Sequence, residues 1–582
     1  MITVNSTNHS NEKVTPRKLG TFHGGVHPPF HKDDSNKPVI NFAGIPKRLV
    51  LPLRQQLGSD AEPCVSVGDS VYKGQLIAHL NHHEGALSAN IHAPTSGIIA
   101  AITKHALPHP SGLQAQCIII EPDGKDESSS EHSFKPITDY ATFSQNDLLE
   151  RIQQAGIVGL GGAAFPTAVK LAGSKNAKIK TLIINGAECE PYITCDDRLM
   201  REKSAEIILG IKIVLRLINA EECLIGIEDN KPEAIEAMRL ASANEFDIEV
   251  VSIPTIYPSG GEKQLIKILT RKEVPSGGLP SELGLLSQNV ATAYSIYQAV
   301  MEGQPLISRI ITVTGNGILH PQNFEVLIGT SFAHLAEQAG GTNKMADHLI
   351  MGGPMMGFAL EDDNIPIIKA TNCALFTSST ALRESNPAFS SQAIMPCIRC
   401  GKCMDVCPAN LLPQQLYWHI RAKDLEKAKE HNLKDCIDCG CCNYVCPSHI
   451  PLVDYYRFAK VELREQKIAQ EKADISRQRH EFLLYRKERD KRERDEKRAA
   501  HKAQLQAKKA AIAKKKADTG ENADSDKSDI SNSDTTKADA IKAAVARAKE
   551  KKIARETQAD ESLGKKSPRI KPTKNTGTND EI

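Results

Sequence analysis

Cys397, Cys400, Cys403 and Cys407, followed by Pro408, keep the spacing C-x2-C-x2-C-x3-C-P; Cys436, Cys439, Cys442 and Cys446, followed by Pro447, repeat it. Thiolates at three-residue intervals can wrap an iron–sulfur cubane, one sulfur to each iron. Where two such runs share a chain, the fourth cysteine of each crosses to the other cluster. Cys397, Cys400, Cys403 and Cys446 are therefore expected to hold one [4Fe–4S] cluster, and Cys436, Cys439, Cys442 and Cys407 a second. Structural zinc would use four-ligand sites of paired C-x2-C type, which leaves two identical triplets with distal Cys-Pro unexplained. Cys441 lies off the spacing and is not expected to be a ligand. Two clusters in series would carry single electrons.

A second constellation lies upstream. Gly159-Leu160-Gly161-Gly162-Ala163-Ala164-Phe165-Pro166-Thr167 is a glycine-rich turn between two predicted helices. Glycine lets backbone approach a ligand closely, and a following helix N-terminus favours phosphate. The turn is neither G-x-G-x-x-G nor a P-loop, since no Gly-Lys-Ser/Thr follows. Alone it is weak evidence. Three further segments join it: Asn185-Gly186-Ala187-Glu188-Cys189-Glu190-Pro191 after an apolar strand, Tyr257-Pro258-Ser259-Gly260-Gly261-Glu262-Lys263, and Gln288-Asn289-Val290-Ala291-Thr292.

The elements that must position these residues follow from patterning. At 582 residues the chain is long enough for about four domains, and its 40% hydrophobic content suffices for sizeable cores. With 73 Lys+Arg against 71 Asp+Glu, the whole chain shows no electrostatic case for binding nucleic acid. The polar start predicts no secretory signal. The longest apolar run, 207–218, carries Lys212 and Arg216 and is shorter than the roughly 20 residues a membrane span needs. A cytoplasmic location is expected, where clustered cysteines mean metal and not disulfides.

Short apolar runs between Gly, Pro and Asn predict an all-β region at 39–125, after a polar arm at 1–38. Helices alternate with strands at 181–184, 223–227 and 248–253, predicting an α/β domain with a mostly parallel sheet at 140–305. Shorter strands and one helix predict a small β-grasp-type unit at 306–375. The cysteine runs occupy 387–455, and helical propensity in 414–431 favours a helical two-cluster domain. The tail, 457–582, is charged and largely disordered: residues 461–516 hold 19 Lys/Arg against 10 Asp/Glu with few core formers, a solvated helix at most. Residues 518–537 are expected to be disordered and 538–555 to form another exposed helix. The tail reads as a soluble extension, with docking to acidic partners or anionic lipid as the alternative.

Residues 65–69, 74–78 and 93–97 (VSVGD, GQLIA and APTSG) resemble the barrel-sandwich fold of lipoyl and biotinyl carrier domains. No lysine lies between Lys73 and Lys104, so the cofactor-bearing arm is absent; His82, His83 and Glu84 fall near the hairpin tip. The glycine turn with the three later segments resembles the flavin-binding subunit of respiratory complex I and the related hydrogenase diaphorases. That resemblance implies noncovalent FMN near Gly159, Gly161, Gly162, Lys170, Asn185, Glu188, Glu190, Gly260, Asn289 and Thr292. It implies NADH contacts at Phe165, Lys170, Glu190 and Glu262. Ala187 and Gly261 stand where that family has acidic residues, which weakens the nicotinamide site. Residues 308–339 resemble the SLBB β-grasp unit that follows the flavin domain there.

The full order is multidomain α/β: carrier-like β barrel-sandwich domain, α/β flavin/NADH domain, β-grasp (SLBB) unit, helical two-cluster ferredoxin domain, charged helical/disordered tail. It resembles the C-type subunits of Rnf (Rsx) ion-translocating electron-transport complexes over roughly residues 20–455. The resemblance implies an oxidoreductase (translocase) subunit, peripheral on the cytoplasmic side of the inner membrane. It would be held by integral-membrane and iron–sulfur subunits and would exchange electrons with a ferredoxin-type carrier. The implied path is NADH to FMN to two [4Fe–4S] clusters, with ion movement elsewhere in the complex. Two other readings stay open: a non-enzymatic iron–sulfur relay and docking subunit, and a soluble NADH diaphorase subunit.

Overall fold

Runs of β-branched residues broken by Gly and Pro build the first region as two small sheets. In the computed structural model, which describes residues 17–55, 58–81, 87–173, 177–386 and 394–518 with Ala543 and Val545, a long hairpin pairs Gly97–Ala106 with Gln114–Pro122. Leu49–Pro52 flanks it on one side and Ser70–Val71 on the other, all antiparallel. A three-stranded sheet of Glu62–Pro63, Leu76–His79 and Ile91–His92 supplies the rest. Leu49, Leu51, Ile77, Ile99, Ile118 and Ile120 are buried between them, each side chain contributing about 1.5–3 kcal/mol of transfer free energy. His82, His83 and Glu84 lie outside the described residues.

The α/β region is a four-stranded sheet in the order Ile248–Ile253, Glu222–Glu228, Thr181–Gly186, Leu285–Asn289. Every pair is parallel. The strands are nearly continuous apolar runs because helices cover both faces. Helix Gln145–Gln154 starts on a capping box between Ser144 and Asp147. Ser204–Ile218 buries Ile207, Ile211 and Val214, so the apolar run at 207–218 is a core helix. It crosses Val290–Tyr297 so closely that a Cβ on Gly210 would sit 1.9 Å from the Ala293 carbonyl oxygen.

The third region is a six-stranded mixed sheet: Asn41–Phe42, Gln322–Leu327, Ser308–Thr314, Cys373–Thr377, His348–Met351, Phe358–Leu360. Helix Phe332–Gln338 packs its Phe332 and Leu335 on this sheet. Its edge strand comes from the start of the chain, so residues 17–42 are not a free arm. The Gly20 amide donates to Ile268 O, Val26 bridges Tyr257, and the Tyr192 amide donates to Phe30 O.

The cysteine-rich region is helical, with Lys402–Asp405, Pro413–Arg421, Leu425–Glu430 and Cys441–Tyr444 around Leu416, Ile420, Leu433 and Tyr456. A helix then runs from Leu452 to Asp518. The chain divides into two units, residues 1–471 and 472–582. In the second, the described helical side chains are almost all exposed, Phe482, Leu484 and Tyr485 among them. The expectations for 518–537 and 538–555 fall almost wholly outside the described residues. Among the described residues no helix is long and apolar enough to cross a membrane.

Candidate functional site

In a parallel sheet, loops at the carboxyl ends of the strands form the natural ligand crevice. Here the inner strand Thr181–Gly186 and the edge strand Leu285–Asn289 carry asparagines in direct register at this end, Asn185 opposite Asn289. The Asn185 amide donates to the Gly260 carbonyl at 2.8 Å, and its oxygen accepts from the Ala187 N–H at 3.1 Å. Asn289 caps the helix Val290–Tyr297 by accepting from the Ala291 N–H at 2.9 Å. Its amide donates to Asp196 at 2.7 Å. A Cβ on Gly161 would meet the Asn289 side chain at 3.4 Å, so the glycine turn lies against this strand end. Thr292 fastens the same turn, its hydroxyl accepting from the Leu160 N–H at 2.9 Å.

The turn after Asn185 is tightly built. Glu188 has a positive φ of 49° and reaches across to accept from the amides of Asp196 and Asp197 at 2.7 and 3.1 Å. It thereby caps the helix Cys195–Glu202, whose own N-cap residue Thr194 makes no side-chain cap. Lys32, buried, donates to the carbonyls of Glu188, Glu190 and Ile193 at 2.7, 3.0 and 2.7 Å. Desolvation pushes the Glu188 and Asp196 carboxyls above the ordinary carboxylate range, opposed at Glu188 mainly by the Lys32 charge. Glu190 is held differently. One of its oxygens accepts from the amides of Met355 and Met356, at 2.7 and 2.9 Å, in a loop of the third region.

On the outer side Lys170 pairs with Glu262 at 2.8 Å, bringing together two residues 92 apart in sequence. Phe165 is exposed. Gly162 has φ of 108° and nothing within 4 Å of the position a Cβ would take, so the turn opens outward there. Thr167 is buried at the start of the short helix Thr167–Gly173, and its hydroxyl has no partner among the described residues. An open glycine backbone beside an unpartnered buried hydroxyl and a Lys–Glu pair fits a phosphorylated ligand such as FMN. Gly159 and Gly260 complete the rim, the Gly260 N–H donating to Cys189 Sγ at 3.3 Å.

The eight spaced cysteines line two cavities. One is lined by Cys407, Cys436, Cys439 and Cys442, together with Leu416 and Tyr456. The other is lined by Cys397, Cys400, Cys403 and Cys446, together with Tyr417 and Ile450. Each run thus sends its fourth cysteine to the other cavity. Burial raises the Cys436 and Cys403 thiols to about 12 and about 11, as expected for sulfurs that ionise only against a cation. Four soft sulfurs around an apolar hollow fit a [4Fe–4S] cubane. Cys441 also borders the first cavity, which spacing did not suggest.

The two constellations meet. Tyr257 donates to the Cys439 carbonyl at 2.6 Å, and Cys189, Tyr257, Met355, Cys439 and Cys441 share one small buried cluster. Sequence reasoning missed Lys32, Asp196 and Tyr257. Lys32 carried no signal, being one charge in a polar segment. Asp196 stood in the pair Asp196-Asp197, and Tyr257 opened a glycine turn already singled out.

Family models match in the same order. The RnfC barrel sandwich hybrid domain matches residues 20–125, the Nuo51 FMN-binding domain 152–298, the SLBB domain 310–359 and the 4Fe-4S dicluster domain 396–450. A solved NAD+-reducing [NiFe]-hydrogenase in the H2-reduced state aligns over 54% of this chain and 62% of its own, with 17% identity and a TM-score of 0.41. The C-type subunit of the ion-translocating oxidoreductase complex of Yersinia enterocolitica is 46% identical over 552 residues, 94% of this chain and 77% of that protein. Its counterpart in Yersinia pestis is 51% identical, over 77% of this chain and 70% of that one. For Pseudomonas aeruginosa the figures are 49%, 83% and 60%, so the chain spans somewhat under two thirds of that relative. The chain belongs to the RnfC family, the C-type subunits of ion-translocating oxidoreductase complexes.

Proposed function

We propose that this chain is the NADH-oxidising, electron-input subunit of a membrane-bound complex that couples electron transfer between NADH and ferredoxin-type carriers to ion translocation. The observation that carries this is the junction at Tyr257, where the strand-end crevice and a four-cysteine cavity share one wall. FMN, when bound, interconverts the two-electron hydride chemistry of NADH and the single electrons that two [4Fe–4S] clusters carry.

The chain's own residues divide the work. Gly159, Gly161 and Gly162 give close backbone approach, with Lys170 beside them as a cation for phosphate. Asn185, Asn289 and Thr292 fix the crevice floor, while Glu188, through its cap, and Gly260 shape the wall. Phe165, Lys170 and Glu262 form the outer lip, where NADH would stack. The thiolates of Cys397, Cys400, Cys403 and Cys446, and of Cys436, Cys439, Cys442 and Cys407, each hold one cluster. The protein would sit peripherally on the cytoplasmic face of the inner membrane, held by integral-membrane and iron–sulfur partners.

A second reading, an iron–sulfur relay without NADH chemistry, is favoured by Glu190, whose carboxylate is already occupied by the Met355 and Met356 amides. Anaerobic NADH titration of chain reconstituted with iron, sulfide and FMN separates the two. Flavin bleaching with reduced-cluster EPR signals supports the proposal. Clusters that respond to dithionite but not NADH, in protein that releases FMN, establish the relay. Release of the protein from membranes at low salt would instead favour a soluble diaphorase.

A further inference from the structure

The two cysteine runs occupy the same register but opposite surroundings. Cys439 is buried, whereas Cys400, its counterpart as second cysteine, is exposed. Position by position, CIRCGKC in the first run faces CIDCGCC in the second, so Arg399 matches Asp438 and Lys402 matches Cys441. Asp438 is neutralised by Lys460 at 2.7 Å, and that ammonium also donates to the Cys436 carbonyl at 2.6 Å.

Around the inner cavity the chain closes on itself. Besides the Tyr257 bond, His23 is bonded to the Cys407 carbonyl at 3.0 Å and Gln264 donates to Pro408 O at 3.3 Å. A Cβ on Gly440 would lie 2.6 Å from the Met355 carbonyl oxygen. Among the described residues, that side is covered by the chain's own segments.

Exposed apolar side chains border the outer cavity: Ile398, which lines it, is 66% exposed, and Met395, whose amide donates to the lining residue Ser448, is 54% exposed. Arg399 and Lys402 are exposed beside them. Tyr417 lines this cavity, and Arg421 lies against its hydroxyl at 3.2 Å and over the exposed Trp418 at 5.7 Å. None of these three cations has an acidic ion-pair partner among the described residues. Asp405 is the one acid in the first run, so the rim stays net positive. An apolar centre bordered by a net excess of one charge is how an interface steers a partner of the other sign.

We propose that the rim of the Cys397/Cys400/Cys403/Cys446 cavity is the docking surface for a protein electron carrier that presents Asp and Glu around its redox centre. The inference rests on the cluster-holding role assigned above and gives the path a direction in space, inward cavity first and outer cavity at the exchange face.

The test uses the full chain reconstituted with iron and sulfide, and an acidic two-cluster ferredoxin as probe. Interferometry is expected to show binding that weakens as salt rises, and R399E/K402E is expected to weaken it about tenfold or more. Lys434, exposed on the turn before the second run, carries the same charge in the same region, and K434E should bind as the unaltered chain does. Dithionite-reduced EPR is run on every variant. Two intact clusters with unchanged binding in R399E/K402E overturn the docking proposal alone, as does K434E losing as much affinity. No binding of the probe at low salt, or tighter binding of a basic carrier such as cytochrome c, overturns it as well. Absence of cluster signals in the unaltered chain overturns the underlying reading.

Discussion

The Tyr257 hydroxyl donates a 2.6 Å hydrogen bond to the backbone carbonyl of Cys439, 182 residues away, with both partners buried. Tyr257 opens the glycine turn that ends at Gly260, and Cys439 is the second cysteine of its run. One bond therefore joins the wall of the strand-end crevice to the wall of the inner four-cysteine cavity. Tyr257→Phe leaves a buried carbonyl unsatisfied and should cost about 1–3 kcal/mol, read as a lower urea midpoint at unchanged slope. In reconstituted protein it should slow NADH-driven cluster reduction while leaving dithionite reduction intact.

The crossing of the fourth cysteines makes a counter-intuitive prediction. Cys407→Ser, although it alters the first run, should remove the cluster shared with Cys436, Cys439 and Cys442; Cys446→Ser should remove the other. EPR of singly substituted protein, compared with Cys400→Ser and Cys439→Ser, decides it. If C407S matches C400S in the signal it loses, the crossing is wrong. Cys441→Ser should keep both signals.

Two glycines of the turn should differ in their tolerance. Gly162 has φ of 108°, where an L-residue is strained by roughly 1–2 kcal/mol, and its Cβ would enter the open side of the turn. A Cβ on Gly159 would find its nearest neighbours at 3.7 Å, ordinary contact. Gly162→Ala should therefore lose more FMN on gel filtration, at unchanged iron content, than Gly159→Ala, which adds no backbone strain. Equal retention in both would count against flavin lying at this turn.

Lys369 supplies a pH dependence. Burial lowers its ammonium to about 7, and it donates to the carbonyls of Asn90 and Gly156 at 2.7 Å each. A neutral amine has two hydrogens and satisfies both. Between about pH 7 and the ordinary lysine range near 10.4, the unfolded chain binds a proton that the folded chain does not, so this group makes stability rise with pH. The penalty of Lys369→Met should therefore grow from pH 7 to 9, by up to about 1.4 kcal/mol per unit. Denaturant midpoints of both proteins across that range check it; a constant difference would mean that Lys369 stays charged.

Much of the site could be read directly. Sulfurs at fixed intervals leave their repeat in the sequence, so the spacing of the two runs was enough to group the eight cysteines that line the two cavities. The strands 181–186, 222–228 and 248–253 were legible because burial on both faces demands unbroken apolar runs. Asn185, Asn289 and the glycine turn were assigned by resemblance, and the structure brings them to one strand end. Lys170 and Glu262 were named as separate contacts, and the structure makes them an ion pair.

What the chain's order of residues determined by itself was local chemistry: which side chains could hold iron, where backbone could approach a phosphate, which segments alternate. Only the tertiary structure decided which of these chemistries adjoin. Lys32 is one charge in a polar stretch until the start of the chain folds over the sheet and places its ammonium among three carbonyls. Asp438 and Arg399 occupy equivalent positions in two matching runs, yet one is half-buried and paired with Lys460 and the other is exposed. The physical reason is that metal ligation and helix or strand formation are short-range and periodic. Burial, ion pairing and exposure are set by contacts between residues tens to hundreds of positions apart, and no local pattern encodes them.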